Sequence, residues 1–333
     1  SGKIAVLVSP RLTNETVARS LELAKAIGTE LTGSLALLAS DRSKGIRFST
    51  ADYDDLAASD CILLVDGLLE STHPTVGFRI NNAVYNGAKL HILGGQQSKF
   101  TALADSWRKG DVLDLLADQN AGGEVLEALK AAERPVIVSA AGGPLSRKTG
   151  YNAALTQLAE SAGAKVLLAS GASNYAGNLA QIPDVSALED ALDSGEISGV
   201  IALGEDPLGW NPDKFDAPVI LAMDILPTAT AEAAKVTLPM ASFQECAGSF
   251  ISLDGKNRRL KPAFEPPAGM SNVRMLEELL SALGAEAGKL PCEFALPEEI
   301  IFGRDVRAGV ELPPPPLDSM AAYIGKLKKK KGI

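Results

Sequence analysis

An α/β fold with mainly parallel sheets and helices on both faces follows from three features of the sequence. The first is a set of short, continuously apolar runs, such as IAVLV at residues 4–8 and CILLV at residues 61–65, which suit strands buried on both sides. The second is the order strand, loop, helix, glycine, strand over residues 61–93. The third is that strand and helix keep alternating as far as residue 223, the pattern of a doubly wound sheet.

Taken in order, residues 4–8 form the first strand and residues 9–13 a loop. Asn14 caps a helix over 15–27, where Val17, Leu21 and Ala24 fit a 3.6-residue period and Gly28 ends it. A second series starts near Ile46, with a helix at 53–59, a strand at 61–65, a loop at 66–75, a helix at 76–86 closed by Gly87, and a strand at 89–93. Residues 105–132 read mostly as helices. A third series has strands at 136–139 and 165–169 around a helix at 150–162, then a loop containing Asn174, Gly177 and Asn178. A helix at 186–194 and strands at 199–203 and 218–223 follow. Beyond a strand at 236–238, residues 239–269 show neither strand alternation nor helical spacing, until helical periodicity returns at 275–280. Past Gly284 periodicity fades, and prolines 313–316 make a stiff spacer before a short C-terminal helix.

Composition narrows the function classes. Apolar residues make up 46% and charged residues 22%, as in an ordinary globular protein with a large core. The net charge of −9 argues against an extended nucleic-acid surface, and the basic run at 326–331 reads as a solvated tail. Three cysteines, far apart, are too few for a four-cysteine iron–sulfur cluster held by this chain alone, and they form no disulfide framework. With two histidines, a metal site built mainly from His and Cys is disfavoured. No apolar run is long enough to span a membrane, so direct membrane insertion is not expected, and the lack of a disulfide framework fits a reducing compartment, from which a cytoplasmic location is expected. The start at Ser1-Gly2, almost at once followed by a core strand, reads as that of a processed or excised piece of something longer.

Chemistry is to be sought in the loops after strands, where doubly wound sheets bind ligands. In loop 66–75, Ser71, Thr72 and His73 either present polar groups to a ligand or, with Thr72 as cap and Pro74 as first residue, simply start the next helix. Gly94-Gly95-Gln96-Gln97 offers close backbone approach or a plain tight turn. Gly142-Gly143-Pro144 lacks the lysine of a phosphate loop. Gly204-Glu205-Asp206-Pro207 places two carboxylates at a strand end, suited to acid–base work or Mg²⁺, or merely solvated. Cys246 has no nearby histidine to activate it and reads as an inert buried thiol.

Four segments together resemble the molybdopterin oxidoreductase superfamily, the fold of bacterial formate dehydrogenases and of the large iron–sulfur subunit of NADH-quinone oxidoreductase (complex I). They are SPRLTNE at 9–15 with LAKAIGT at 23–29, the stretch 64–93 with its HP loop and GAK strand, VIALGEDP at 200–207, and DILPTATAEAAKVTLPMASFQECAG at 224–248, continued by 250–267. The last is the most specific. Order and spacing match over about residues 3–285.

The resemblance implies two α/β domains with one inserted in the other: residues 1–29 plus 131–285 as a discontinuous domain, 30–130 as the insert, and 286–333 as a Pro-rich extension. The strand at Ile4 would then share a sheet with those from Val136 onward. Departures matter as much as matches. Where catalytic members carry a molybdenum ligand, this chain has GTELTGSLALL at 28–38, without Cys or His. The Asp-containing turn that contacts the guanine dinucleotide is replaced by residues 94–97. The N-terminal four-cysteine domain and the C-terminal β-barrel of the molybdoenzymes have no counterpart.

The resulting expectation is a scaffold domain with no catalytic residue, no metal ligand and no cofactor of its own. Its partners would be other oxidoreductase subunits or an N-terminal Fe–S domain, with any membrane association made through them. The alternative is a fragment of a formate-dehydrogenase-like catalytic subunit, in which Thr72, His73, Gly204, Glu205, Asp206 and Asp224 line a molybdopterin guanine dinucleotide pocket. A second alternative is a small-ligand binding module.

Overall fold

The apolar runs become strands, in a computed structural model that describes residues 3–41, 43–65, 69–139, 149–266 and 268–297. The chain opens with β1 (Lys3–Val8), α1 (Asn14–Ala26), β2 (Thr32–Gly33), α2 (Leu35–Leu38), α3 (Tyr53–Ala58), β3 (Cys61–Val65), α4 (Leu69–Thr72) and α5 (Pro74–Tyr85). It continues with β4 (Lys89–Leu93), α6 (Lys99–Leu103), β5 (Ser106–Arg108), α7 (Val112–Asn120), α8 (Glu124–Ala131), β6 (Pro135–Ser139), α9 (Tyr151–Ala162) and β7 (Lys165–Leu168). Then come α10 (Tyr175–Gln181), α11 (Ser186–Asp193), β8 (Ile197–Leu203), α12 (Pro207–Trp210), β9 (Val219–Asp224), α13 (Ala229–Ala233) and β10 (Val236–Pro239). A hairpin of β11 (Gly248–Ile251) and β12 (Asn257–Leu260) precedes α14 (Asn272–Ala282).

Two five-stranded parallel sheets organise these elements. One has the order β10-β9-β8-β1-β2 and the other β5-β4-β3-β6-β7, while β11 and β12 pair antiparallel. Both faces of the second sheet are covered. Leu63, Val65 and Ile137 pack with Leu116, Leu126 and Leu155 from α7, α8 and α9, whereas Ile62, Leu64 and Val138 pack with Leu56 and Ile80 from α3 and α5. That alternation of strand residues between two cores is what a parallel sheet sandwiched by helices requires.

The sheets divide the chain differently from the expectation. β6 pairs with β3 (Cys61↔Pro135 to Val65↔Ser139) and β7 with β6, so the strands from Val136 to residue 168 lie in the sheet of β3, not in that of β1. β1 is joined instead by β8, in the register Val8↔Leu203. The segment shared with β3 therefore extends past residue 130, because parallel pairing is decided by long-range register, which apolar runs do not encode.

Local expectations are corrected in several places. The cap of α1 is Thr13, whose Oγ1 accepts from Thr16 N at 3.3 Å, and Asn14 is already helical. Loop 66–75 contains α4, and the residue before α5 is His73, not Thr72, although Pro74 does begin that helix. Asn174, Gly177 and Asn178 belong to the start and body of α10 instead of a loop. β5 interrupts the helical stretch 105–132, and residues 239–269 hold the β11–β12 hairpin. The glycine pair 142–143, Ser71's side chain, prolines 313–316 and the basic run 326–331 lie outside what the structure describes.

Candidate functional site

The carboxyl ends of β1, β8 and β9 lie side by side in one sheet, and their loops bring polar groups together. Gly204 ends β8 with φ +71°, and its N–H donates to Met223 O at 2.8 Å. A Cβ there would lie 3.1 Å from Ser9 Cβ and 3.3 Å from Met240 Cε, so glycine is needed both for the backbone angle and for close packing.

Gly204, Glu205, Asp206 and Asp224 are thus gathered at one edge. Glu205 is only 8% exposed, and its Oε1 accepts from Leu35 N at 3.1 Å, tying the β8 loop to α2. Burial pushes its carboxyl up to about 7; the Leu35 bond and the charge of Arg11 pull the other way, and Asp224 and Asp206 add to the rise. Asp224 is likewise raised above the ordinary range, first by burial, against the bonds its Oδ1 accepts from Leu226 N (3.2 Å) and Ile225 N (2.7 Å). Asp206 works as a double cap. Its Oδ1 accepts from Gly209 N (3.1 Å), Thr230 N (2.9 Å) and Thr230 Oγ1 (2.6 Å), fastening α12 to α13.

Thr72 and His73 sit on the other sheet, after β3. His73 Nε2 meets Ser170 O at 2.8 Å and Nδ1 meets Thr72 Oγ1 at 3.0 Å, so the imidazole braces the loop that follows β7. The turn at Gly94 is a tight one closing on β5: Gly94 N donates to Arg108 O at 2.8 Å and Trp107 Nε1 donates to Gly94 O at 3.0 Å. Cys246 is buried, bonded to Ala241 O and Asn272, and burial lifts its thiol to about 11, far from thiolate chemistry.

One cluster escaped sequence reading. Asn14, Asn174, Ser249 and Glu15, from α1, α10 and β11, form a buried network. Asn174 Nδ2 donates to Asn14 Oδ1 and Leu12 O, both at 2.9 Å, and its Oδ1 accepts from Ile251 N at 2.8 Å. Asn14 Nδ2 donates to Ser249 Oγ at 3.1 Å; Glu15 accepts from Ser249 N at 2.8 Å and Ser249 Oγ at 3.0 Å. Gly248, at φ +146°, has no room for a side chain, since a Cβ would lie 2.6 Å from Glu15 Oε2 and 2.9 Å from Thr13 Cβ. The TNE sequence at 13–15 is therefore a staple between the first helix and the hairpin. The available signal was a run of four polar residues, 13–16, at a helix start between apolar Leu12 and Val17.

A dinucleotide brings a diphosphate, which needs cations or free backbone N–H groups. At this edge the N–H groups of residues 209, 225, 226 and 230 already donate to Asp206 and Asp224, and Arg11 is the cation whose charge reaches Glu205. Those bonds fall on Oδ1 of Asp206 and Oδ1 of Asp224, while Oδ2 of Asp224 is approached by Thr228 Oγ1 at 3.5 Å.

The wider comparison is consistent across the chain. The family model of molybdopterin oxidoreductase matches residues 2–280. The G subunit of NADH-quinone oxidoreductase from Mycobacterium bovis is 26% identical over 307 residues, covering 77% of this chain and 38% of that relative. Its counterpart from Pseudomonas putida is 30% identical over 162 residues, 46% of this chain and 18% of its own length. The chain thus spans well under half the length of these relatives. A chain of the formyltransferase/hydrolase complex (FhcABCD) from Methylorubrum extorquens, solved with methylofuran, superposes with TM-score 0.58 at 17% identity, over 85% of this chain and 93% of that one, a likeness of fold alone. With the family pattern running from before β1 into the last turn of α14, the chain belongs to the molybdopterin oxidoreductase family.

Proposed function

We propose that this chain is a molybdopterin-oxidoreductase-like domain of an NADH-quinone oxidoreductase large subunit, a scaffold that holds partner subunits carrying the redox centres and has no molybdenum or iron–sulfur centre of its own. The observation that supports the reading is that the carboxyl edge spends its backbone donors on the fold: Thr230 N and Ile225 N donate to Asp206 and Asp224, and the TNE segment is bonded to the hairpin. Two relatives that are themselves NADH-quinone oxidoreductase subunits support the choice of assembly. No helix among the described residues is long and apolar enough to cross a membrane, which suits a domain held at the membrane only through its partners, on the cytoplasmic side.

The test is to tag the chain at its own locus, separate native assemblies, and measure NADH oxidation, molybdenum, tungsten and extractable fluorescent pterin in the tagged band. Co-migration with NADH-oxidising activity and only trace metal is expected. Stoichiometric molybdenum or tungsten with pterin would overturn the scaffold reading in favour of a catalytic fragment, and migration as a single chain would favour a free-standing module.

A further inference from the structure

We propose that Glu205 is a proton-operated tether: protonated, it keeps the loop after β8 fastened to α2, and ionised, it turns out to solvent and frees the first N–H of that helix. The device stands apart from the scaffold reading and needs no partner. It acts where α2 leads the chain away from the sheet of β1 toward that of β3.

One bond is at stake. Glu205 Oε1 accepts from Leu35 N, the first residue of α2, at 3.1 Å. Later donors of the same turn are met within it, since Leu37 N donates to Ser34 Oγ at 3.2 Å and Leu38 N to Ser34 O at 3.0 Å. The backbone on either side of Glu205 is pinned: Gly204 N donates to Met223 O at 2.8 Å, and Asp206 Oδ1 holds Gly209 N, Thr230 N and Thr230 Oγ1. The side chain is therefore the part free to turn, and at 8% exposure its edge already reaches solvent.

Charge decides which state is held. A carboxylate in a closed site is disfavoured by lost hydration and by like charges, and favoured by hydrogen bonds and cations. Asp206 Oδ1 accepts three bonds and Asp224 Oδ1 two, against the single backbone bond at Glu205, so Glu205 is the least prepared of the three to stay buried and charged. Arg11, on the loop after β1, favours its ionisation; Asp224 at the end of β9 and Asp206 beside it oppose it, and α2, LALL, brings no charge. Arg11 is exposed, so solvent screens its pull. Burial is the largest influence and sets the carboxyl at about 7, which brings both states within reach of neutral pH. Turning outward exchanges one N–H bond for hydration of a full charge, whereas the neutral acid gains little by leaving.

Amide hydrogen exchange of the full chain, resolved by residue with NMR and expressed as protection over the intrinsic rate, reads the tether directly. Between about pH 6 and about pH 8 the ratio of ionised to neutral Glu205 passes from roughly 1:10 to roughly 10:1, so protection at Leu35 should fall about tenfold. Leu37, held by Ser34, and Val6, which donates to Leu31 O inside the first sheet, should keep theirs. Glu205→Gln, which retains an oxygen for Leu35 N without a charge, should hold Leu35 protected across the range. Flat protection at Leu35 in the wild type would overturn the proposal. So would a fall shared equally by Leu35, Leu37 and Val6, because ionisation would then loosen the whole fold instead of one bond. A fall that persists in Glu205→Gln would assign the titration to another group and overturn it as well.

Discussion

Two polar clusters sit at the same carboxyl edge and are built on opposite terms. The network of Asn14, Asn174, Ser249 and Glu15 is made mostly of amides and hydroxyls, and Asn174 meets a partner at each polar atom of its side chain. The cluster of Glu205, Asp206 and Asp224 is made of carboxylates, and its most buried member accepts a single backbone bond. Amides both donate and accept, so they can saturate one another in the interior; carboxylates only accept, and neighbours of like charge make each one harder to ionise. The first cluster is therefore a permanent fastening, and the second carries a penalty that depends on pH.

Removing Asn174 gives the largest effect that separates the two. Asn174→Ala leaves Leu12 O, Asn14 Oδ1 and Ile251 N without their partner in a site with no solvent access. At ~1–3 kcal/mol for each orphaned group, partly relieved by relaxation, the loss is on the order of 4 kcal/mol. Chemical denaturation should show it as a lower midpoint, equal at pH 5 and pH 8. A loss that grows with pH would show that the network depends on the carboxylates after all.

Glu205→Gln should act in the other direction and only on one side of neutrality. The folded carboxyl is raised to about 7 from an ordinary value of 4.5, so between these values the folded state binds the proton more tightly than the unfolded state. Stability therefore falls as pH rises from about 4.5 to about 7, and the full penalty is present above that window. Replacing the charge while keeping an oxygen for Leu35 N should raise stability at pH 8 by up to ~3 kcal/mol and flatten the slope, with little change at pH 4. Denaturation midpoints across pH 4–8 in both proteins would reveal it; parallel curves would mean that Glu205 binds its proton equally in the folded and unfolded states.

The sequence carried the fold class and much less of the edge. Residues 4–8 and 61–65 are apolar without interruption, and burial on both faces requires no more than that. Which sheet takes β6 was hidden, because PVIVS would suit either one and the choice lies in the pairing of Cys61 with Pro135. β2, two residues long, and β12, with sequence NRRL, have no periodicity to read. Gly204-Glu205-Asp206 stood out as a loop after a buried strand, yet Asp206 finds Thr230 24 positions on, and a capping bond of that span leaves no local trace. The same holds for Asn14 and Ser249, which meet across 235 positions.

Asn178 provides the smallest effect and the finest division, because it lies beside the amide network, one helical turn from Asn174, without sharing its saturation. It is as buried as Asn174, at 0% exposure, and four residues further along the same turn of chain. Its Nδ2 makes one long bond to Val8 O at 3.2 Å, while Oδ1 has no partner among the described residues. Asn178→Ala removes a weak bond and an unsatisfied acceptor together, and alanine is the better helix former within α10 by ~0.7 kcal/mol. The net loss should be about 1 kcal/mol or less, several-fold below that of Asn174→Ala, when both are measured by denaturation at one pH. If the two substitutions cost the same, burial and packing volume set the price at this edge; a clear gap between them means that hydrogen-bond saturation is what fastens the first helix, α10 and the hairpin into one unit.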